Sequence, residues 1–296
     1  MAQVTAGDWR AMELRRFEAI EEFYGRAEPF LLEREAEHNL ILGICTLLMR
    51  NPERNERQPY MACVEQGGNV VAVAFMGPPN NLIMSHVTTT EVVPLIVRDI
   101  YSEYKTLPGV ISSVPFSEAF AEEWQRLSGQ TYRRTMAQRI YQLEKVNPVA
   151  DAPGHMRKAT EENRGLLHRW LAEFNKEALG ETDTSLLDHM VDRFLHSETQ
   201  GLYLWEDGQP VAMSGYSRPT PNGIVVVAVY TPPEHRGKGY ASANVATMSQ
   251  MLLDRGRKYC FLYTDLDNPT TNHIYQAMGY KPVCDADVYK FEKLEP

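Results

Sequence analysis

Two short groups of residues carry the chemistry in this chain. The first is Arg236-Gly237-Lys238-Gly239-Tyr240-Ala241. It follows Ile224–Tyr230, an apolar, β-branched run that reads as a buried strand. It precedes Ala241, Val245, Met248 and Leu252, which recur at helical spacing until Gly256. Pro232 and Pro233 close the strand, since neither can donate to a sheet ladder. Strand, glycine-bearing turn and helix in that order direct unpaired backbone N–H groups and the positive end of a helix dipole at one place, which suits a phosphate or pyrophosphate. The second group is Asn268 and Tyr275, in a stretch that closes at Gly279-Tyr280. Asn268 is a good helix N-cap, Pro269 suits the first helical position, and Gly279 suits the position after the last. A phenol with a pKa of about 10 can donate a proton to a leaving thiolate.

The residue order narrows the phosphate ligand. A Walker loop needs GxxxxGK[ST], and Lys238 is followed by Gly239. A dinucleotide fingerprint fails at Ser242, and no clear acid follows about 20 residues on. What fits is [Q/R]-x-x-G-x-[G/A], filled by Arg236, Gly239 and Ala241. This resembles the loop with which the GNAT superfamily of N-acetyltransferases holds the pyrophosphate of acetyl-CoA. Downstream, LYTDLDNPTTNHIYQAMGYKPV is similar to that family's N-x-x-A-x-x-[L/I]-Y-x-x-x-G-[F/Y]. Asn268, Ile274, Tyr275, Gly279 and Tyr280 match, and Thr271 stands where alanine is commoner. The resemblance spans about residues 155 to 294.

The resemblance implies an α/β fold with a mixed, mostly antiparallel central sheet flanked by helices. It implies acetyl-CoA as cosubstrate, no metal, and direct acetyl transfer through a tetrahedral intermediate to a primary amine of a small molecule or peptide. Backbone amides of Arg236, Gly237, Lys238, Gly239, Tyr240 and Ala241 would cradle the pyrophosphate. Main-chain groups of Val229, Tyr230 and Thr231 would pair with the pantetheine amides like an added strand. Tyr275 would be the general acid. Asn268 would contact the cofactor, although its N-cap role alone also explains it. The base is not legible: Glu181, Asp183, Asp265 and His235 all lie in or beside loops where they could serve. Two alternatives stay open. One is a non-catalytic acyl-CoA sensor. The other is a tandem enzyme acting on an amino-sugar conjugate or an antibiotic.

The elements needed to position these residues occur twice. The stretch Asn147–Gly154 is polar and bears two prolines, and it divides the chain into 1–147 and 148–296. In the second part, strand Met156–Ala159, helices Glu162–Ala178 and Ser185–His196, and a hairpin turning at Asp207-Gly208 lead to the glycine loop. In the first part, helices Asp8–Tyr24 and Pro29–Met49 lead to a hairpin turning at Gly67-Gly68. The first part ends on RIYQLEKV (139–146), the second on the similar DVYKFEKL (287–294). Shared order and local matches predict two related GNAT-like units. The first lacks the pyrophosphate loop: after Leu82–His86 the chain continues Val87-Thr88-Thr89-Thr90-Glu91, β-branched and without glycine.

Composition supports this picture. A net charge of −9 disfavours a general nucleic-acid binder. No apolar run reaches the roughly 18 residues of a membrane span, and the N-terminus carries no secretory pattern. Cys45, Cys63, Cys260 and Cys284 are far apart and read as reduced thiols of a cytoplasmic protein. The eight histidines show no metal-ligand spacing. The sequence leaves the oligomeric state open, a homodimer included.

Overall fold

Alternation along the strands explains the layering. In Tyr60–Gln66, Tyr60, Ala62 and Val64 pack on one face, and Met61 and Cys63 on the other. A strand buried on both faces needs a helical layer on each side. The computed structural model describes residues 12–50, 57–180 and 182–293, and they form two units of this construction.

Unit 1 comprises residues up to Ile140 together with Asp265–Asp267 and Val283–Pro296. Its elements are β1 (Met12–Arg16), α1 (Ile20–Leu32), α2 (Asn39–Arg50), β2 (Tyr60–Gln66), β3 (Asn69–Met76), β4 (Leu82–Met84), α3 (Val93–Glu103), β5 (Gly109–Ser113), α4 (Phe116–Ser128) and most of β6 (Thr131–Leu143). Unit 2 comprises Tyr141–Thr264 and Asn268–Pro282. It holds the end of β6, then β7 (His155–Lys158), α5 (Arg164–Phe174) with a π-helical turn Asn175–Leu179, α6 (Leu187–His196), β8 (Gly201–Glu206), β9 (Pro210–Ser217), β10 (Gly223–Tyr230), α7 (Tyr240–Asp254), β11 (Tyr259–Asp265) and α8 (Pro269–Ala277). The last strand, β12 (Lys281–Glu292), pairs antiparallel with β5 from Ala286 to Lys290 and so completes unit 1.

The strand order is β1-β2-β3-β4-β5-β12-β6 in unit 1 and β7-β8-β9-β10-β11, followed by the end of β6, in unit 2. Each unit contains one parallel pair, β4 with β5 and β10 with β11, among antiparallel neighbours. Unit 1 buries Phe23, Leu31, Ile41 and Leu42 from α1 and α2 on one face, and Ile96, Ile100, Phe120 and Trp124 from α3 and α4 on the other. Unit 2 buries Leu167, Trp170, Val191 and Phe194 of α5 and α6 on one face. On its other face lie Val245, Met248, Leu252, Tyr275 and Met278 of α7 and α8.

Three expectations are corrected. Asp8–Tyr24 is not one helix. Residues 8–11 lie outside the described residues, and Met12–Arg16 is a strand paired residue by residue with Ala62–Gln66. Its sequence suits either period, and tertiary pairing decides. Pro29–Met49 is not continuous either: α1 runs through Pro29 to Leu32, and α2 begins at Asn39. Third, the units are not two consecutive blocks parted at 147/148. The chain passes between them at 140/141 and returns most of its last strand, Asp287–Glu292 included, to unit 1. The stretch read as a linker is fastened to unit 2. Asn147 donates from its backbone N–H to the Met278 carbonyl (2.8 Å) and from Nδ2 to the Ala277 carbonyl (3.2 Å), meeting the open end of α8. The Trp205 indole donates to the Pro153 carbonyl at 2.8 Å.

Candidate active site in unit 2

The site begins where two parallel strands part. β10 pairs with β11 only at Gly223, Ile224 and Val225, opposite Tyr259, Cys260 and Phe261. From Val226 onward, the side of β10 that faced β11 has no strand partner. On the other side β10 continues along β9, where Val227 stands opposite Gly215 and Tyr230 opposite Met213. One extra residue is thus inserted in β10, and Ala228 takes up the distortion at φ +51°. The insertion flips the alternation. Ile224 and Val226 pack toward α7, whereas Ala228 and Tyr230 pack toward α5. Such a bulge re-aims main-chain groups, here those of Val229, Tyr230 and Thr231 beside the opening.

The glycine loop continues from there. Gly237 and Gly239 have φ of +77° and +80°, the left-handed region where other residues are strained. A Cβ on Gly239 would meet only the Ala152 Cβ at 3.8 Å, so conformation rather than space requires the glycine. Gly239 is the N-cap residue of α7, and the first intrahelical bond runs from the Ala243 N–H to its carbonyl at 3.0 Å. Among the described residues, nothing accepts from the N–H groups of Gly237, Lys238, Gly239, Tyr240 or Ala241. Arg236, Gly237, Lys238 and Gly239 are exposed. The loop therefore presents open donors at a helix N-terminus.

Two side chains of the loop are committed elsewhere. Arg236 donates from Nε to the Thr231 carbonyl (2.8 Å) and pairs with Glu177 (2.7 Å), which fastens the loop to the π-helical turn after α5. The buried Tyr240 donates its hydroxyl to Asp207 in the β8–β9 turn at 2.7 Å. A cradle made of these residues is thus a backbone cradle, with Lys238 as the unengaged cation. Beside it, a cleft of about 770 Å³ is lined by Trp170, Glu173, Lys176, Glu177, Pro232 and His235, among others. The Tyr230 hydroxyl donates to Glu173 on its wall. Of the residues considered as a base, His235 lines this cleft, Asp183 is exposed and accepts from the Ser185 N–H (2.8 Å), Asp265 belongs to unit 1, and Glu181 lies outside the described residues.

Helix capping accounts for the second motif. The Asn268 side chain accepts from the Thr271 N–H at 3.1 Å, as an N-cap does. At the other end, Gly279 has φ +107°, its N–H donates to Gln276, and the Tyr280 N–H donates to the Tyr275 carbonyl at 3.0 Å. This is a Schellman ending. Its usual contact between the third-last position and the one after the glycine is made by the Tyr275 and Tyr280 rings, 5.8 Å apart and edge-on. The cap therefore dictates where Tyr275 stands. Burial pushes the Tyr275 phenol up to about 12. It keeps its proton at neutral pH. Full transfer to a sulfur whose thiol titrates near 8.5 would be uphill by about 5 kcal/mol, so the group acts as a hydrogen-bond donor. Sequence reasoning missed the network beside it: Asn272 Oδ1 accepts from Thr264 (2.6 Å) and Tyr141 (2.9 Å), and Gln276 donates to Tyr141 (3.0 Å).

Among the described residues no group of three or more His, Cys, Asp or Glu is placed to hold a metal ion, and no helix is long and apolar enough to cross a membrane. Residues 139–280 match the model of the acetyltransferase (GNAT) family. No curated protein matches the chain. Among solved structures, a Drosophila protein superposes with a TM-score of 0.69 at 11% identity, covering 95% of this chain and 99% of the other. A GCN5-related N-acetyltransferase from Sphaerobacter thermophilus covers 99% of each chain at 15% identity and a TM-score of 0.58. A tandem GNAT protein from the clavulanic acid biosynthesis pathway covers 96% of this chain and 99% of its own, at 13% identity and 0.54. At these identities the likeness shows the fold.

Proposed function

With residues 139–280 a domain of the acetyltransferase (GNAT) family, we propose that unit 2 moves the acetyl group of acetyl-CoA to a primary amine of a small molecule or peptide. The observation that carries this reading is the parting of β10 from β11 after Val225, directly beside a loop of open N–H donors. Acetyl-CoA supplies an acetyl group activated as a thioester.

The chain's own groups fit that cosubstrate. N–H groups of Gly237 to Ala241 would donate to the pyrophosphate oxygens, and Lys238 would add a positive charge. Main-chain groups of Val229 to Thr231, turned by the bulge, pair with the amides of the pantetheine arm. A strand-edge N–H there stabilises the oxyanion that forms when the amine attacks. The Tyr275 hydroxyl donates to the departing sulfur. The amine enters from the α5 side, where the 770 Å³ cleft is walled by Glu173 and Glu177. Its excess proton leaves to one of these groups, to His235, or to water. The setting we infer is the reducing cytoplasm, supported by four cysteines that are all unpaired.

The test is acetyl-CoA binding by calorimetry together with thiol release across an amine panel. Binding with amine-dependent thiol release is expected. Binding without release for any amine would favour the sensor reading, and absence of binding would remove both.

A further inference from the structure

We propose that Asn272 is a positioning residue for the transfer: it fastens α8 to the strand that walls the opening, and so sets where the Tyr275 hydroxyl stands. This rests on the acetyltransfer reading for unit 2 and adds a residue to the machinery of the same site.

Tyr275 needs such a support. Its ring leans on Tyr280, but among the described residues its hydroxyl has no hydrogen-bond partner to aim it. The place of the hydroxyl is therefore the place of α8. That helix is only nine residues long, and Ile274, Tyr275 and Met278 join it to the core of unit 2 through apolar contacts. Apolar packing is non-directional. It presses a helix onto a sheet without fixing its height to a fraction of an ångström.

Asn272 supplies the direction. It stands three residues before Tyr275, one turn away on the helix. Its Nδ2 donates to the Asn268 carbonyl at 2.8 Å. A carbonyl can only accept, so this contact settles which end of the amide is nitrogen. Oδ1 lies at the other end and accepts twice, from Thr264 Oγ1 at 2.6 Å and from the Tyr141 hydroxyl at 2.9 Å. The Tyr141 oxygen, having donated, accepts from Gln276 Nε2 at 3.0 Å. Asn272 and Gln276 thus hold α8 on either side of Tyr275. What they hold it to matters more. Thr264 belongs to β11, three residues beyond Phe261, the last of that strand to pair with β10. At about 3.3 Å per residue it stands about 10 Å along the free wall of the opening. Tyr141 belongs to the end of β6. Thr264 and Tyr141 are both buried, so these bonds form away from water. A satisfied buried network specifies one geometry, and a broken one is costly. Leucine and phenylalanine would cover the same surface with less demand. The polar set adds a fixed distance between α8 and the strand beside which acetyl-CoA would lie.

The test is a double-mutant cycle in the full chain. Thiol release from acetyl-CoA, with whichever amine of the panel responds, is measured for wild type, Asn272→Ala, Tyr275→Phe and the double variant. Misplacing a reacting group by 1 Å can cost about 10²-fold, so kcat should fall about 10-fold or more in Asn272→Ala, with the KM for acetyl-CoA within about twofold of wild type. In the Tyr275→Phe background the same change should cost less than about twofold, because the hydroxyl it would misplace is already gone. Asn272→Asp keeps the doubly accepting oxygen and should recover part of the loss. Tyr141→Phe keeps the ring and removes one hydroxyl, and it replaces Asn272→Ala in the cycle should that variant fail to fold. A kcat that is unchanged, or that falls by the same factor with and without the Tyr275 hydroxyl, would show a merely structural network and overturn the proposal. So would a loss of acetyl-CoA affinity equal to the loss of kcat. Fluorine NMR of protein labelled with fluorotyrosine adds a readout independent of turnover, the Tyr275 line being assigned by its absence in Tyr275→Phe. That line should be single in wild type and Asn272→Asp, and broadened or split in Asn272→Ala. An identical line in all three would contradict the positioning role. Absence of thiol release by wild type would instead remove the acetyltransfer reading, while the NMR comparison would still decide whether Asn272 holds Tyr275 in place.

Discussion

Units 1 and 2 part their parallel strands in the same way and then treat the gap differently. β4 pairs with β5 at Leu82 and Ile83 and stops, as β10 stops at Val225. Aligning Ile83 with Val225 places Val87 on Val229, and both pack toward the helix that follows. In unit 1 the gap is filled from within. The Ser85 N–H donates to the Val73 carbonyl of β3, and alternation turns the next N–H to the open side. There the His86 N–H donates to His38 Nε2 at 3.0 Å, His38 Nδ1–H donates to the Leu31 carbonyl at 2.9 Å, and Glu37 reaches His86 Nδ1 at 3.1 Å. Thr88 to Val92 then lead straight into α3, where unit 2 has the longer run Tyr230 to Gly239. The Glu91 N–H is taken by Thr89 Oγ1 at 3.3 Å, and Pro94 has no N–H to offer. The helix before the last strands repeats the contrast. Four residues before Gly279 stands Tyr275, whereas four before Gly129 stands the exposed Gln125. A sheet that can open is common to both units, and the two openings differ in loop length, in a histidine plug and in one aromatic residue.

The largest effect is expected at the loop. Gly239→Glu sets a carboxylate at the cradle and should weaken acetyl-CoA binding by more than about 10²-fold, read by calorimetry. Its backbone strain, about 1–2 kcal/mol, is matched by Gly129→Glu in unit 1, at φ +77° with nothing within 4 Å of an added Cβ. That control should bind acetyl-CoA like wild type. Equal losses in both variants would make the effect one of stability and erase the contrast.

Tyr275→Phe comes next. The packing against Tyr280 is kept and only the donor is lost, so kcat should fall about 10²-fold with acetyl-CoA affinity and melting temperature nearly unchanged. Unchanged turnover, with chemistry shown to be rate-limiting, would reduce Tyr275 to its role in the helix cap.

The smallest effect concerns the plug. Burial lowers the His38 pKa to about 4 from 6.5. Between these values only the unfolded chain takes up the proton, so stability is complete above about pH 6.5 and falls as the pH drops toward 4. The loss at the bottom of that window is about 3 kcal/mol. His38→Gln keeps an acceptor for the His86 N–H and does not titrate. Denaturant unfolding at pH 7 and pH 4.5 should show a smaller loss for the variant than for wild type, with acetyl-CoA binding the same in both. Parallel losses would mean that His38 is not held neutral in the folded protein.

Much of unit 2 was legible because local signals and tertiary structure agree there. The turn at Asp207-Gly208, the strand into Tyr230, α7 and the capped helix from Asn268 to Gly279 each announce themselves in sequence. Other features were illegible for physical reasons. A strand ending in YKFE pairs equally well in either unit, so sequence placed β12 with its neighbours and the fold placed it in unit 1. Met12–Arg16 becomes a strand only because β2 is there to pair with it. The bulge at Ala228 leaves no mark in a run of valines.

Unit 2 is proposed to keep an acetyl-CoA site that unit 1 has closed. Calorimetric titration of the intact chain with acetyl-CoA counts those sites directly. One acetyl-CoA per chain, with binding lost in Gly239→Glu, is the predicted result. Two independent sites per chain, or one site that survives Gly239→Glu, would contradict it.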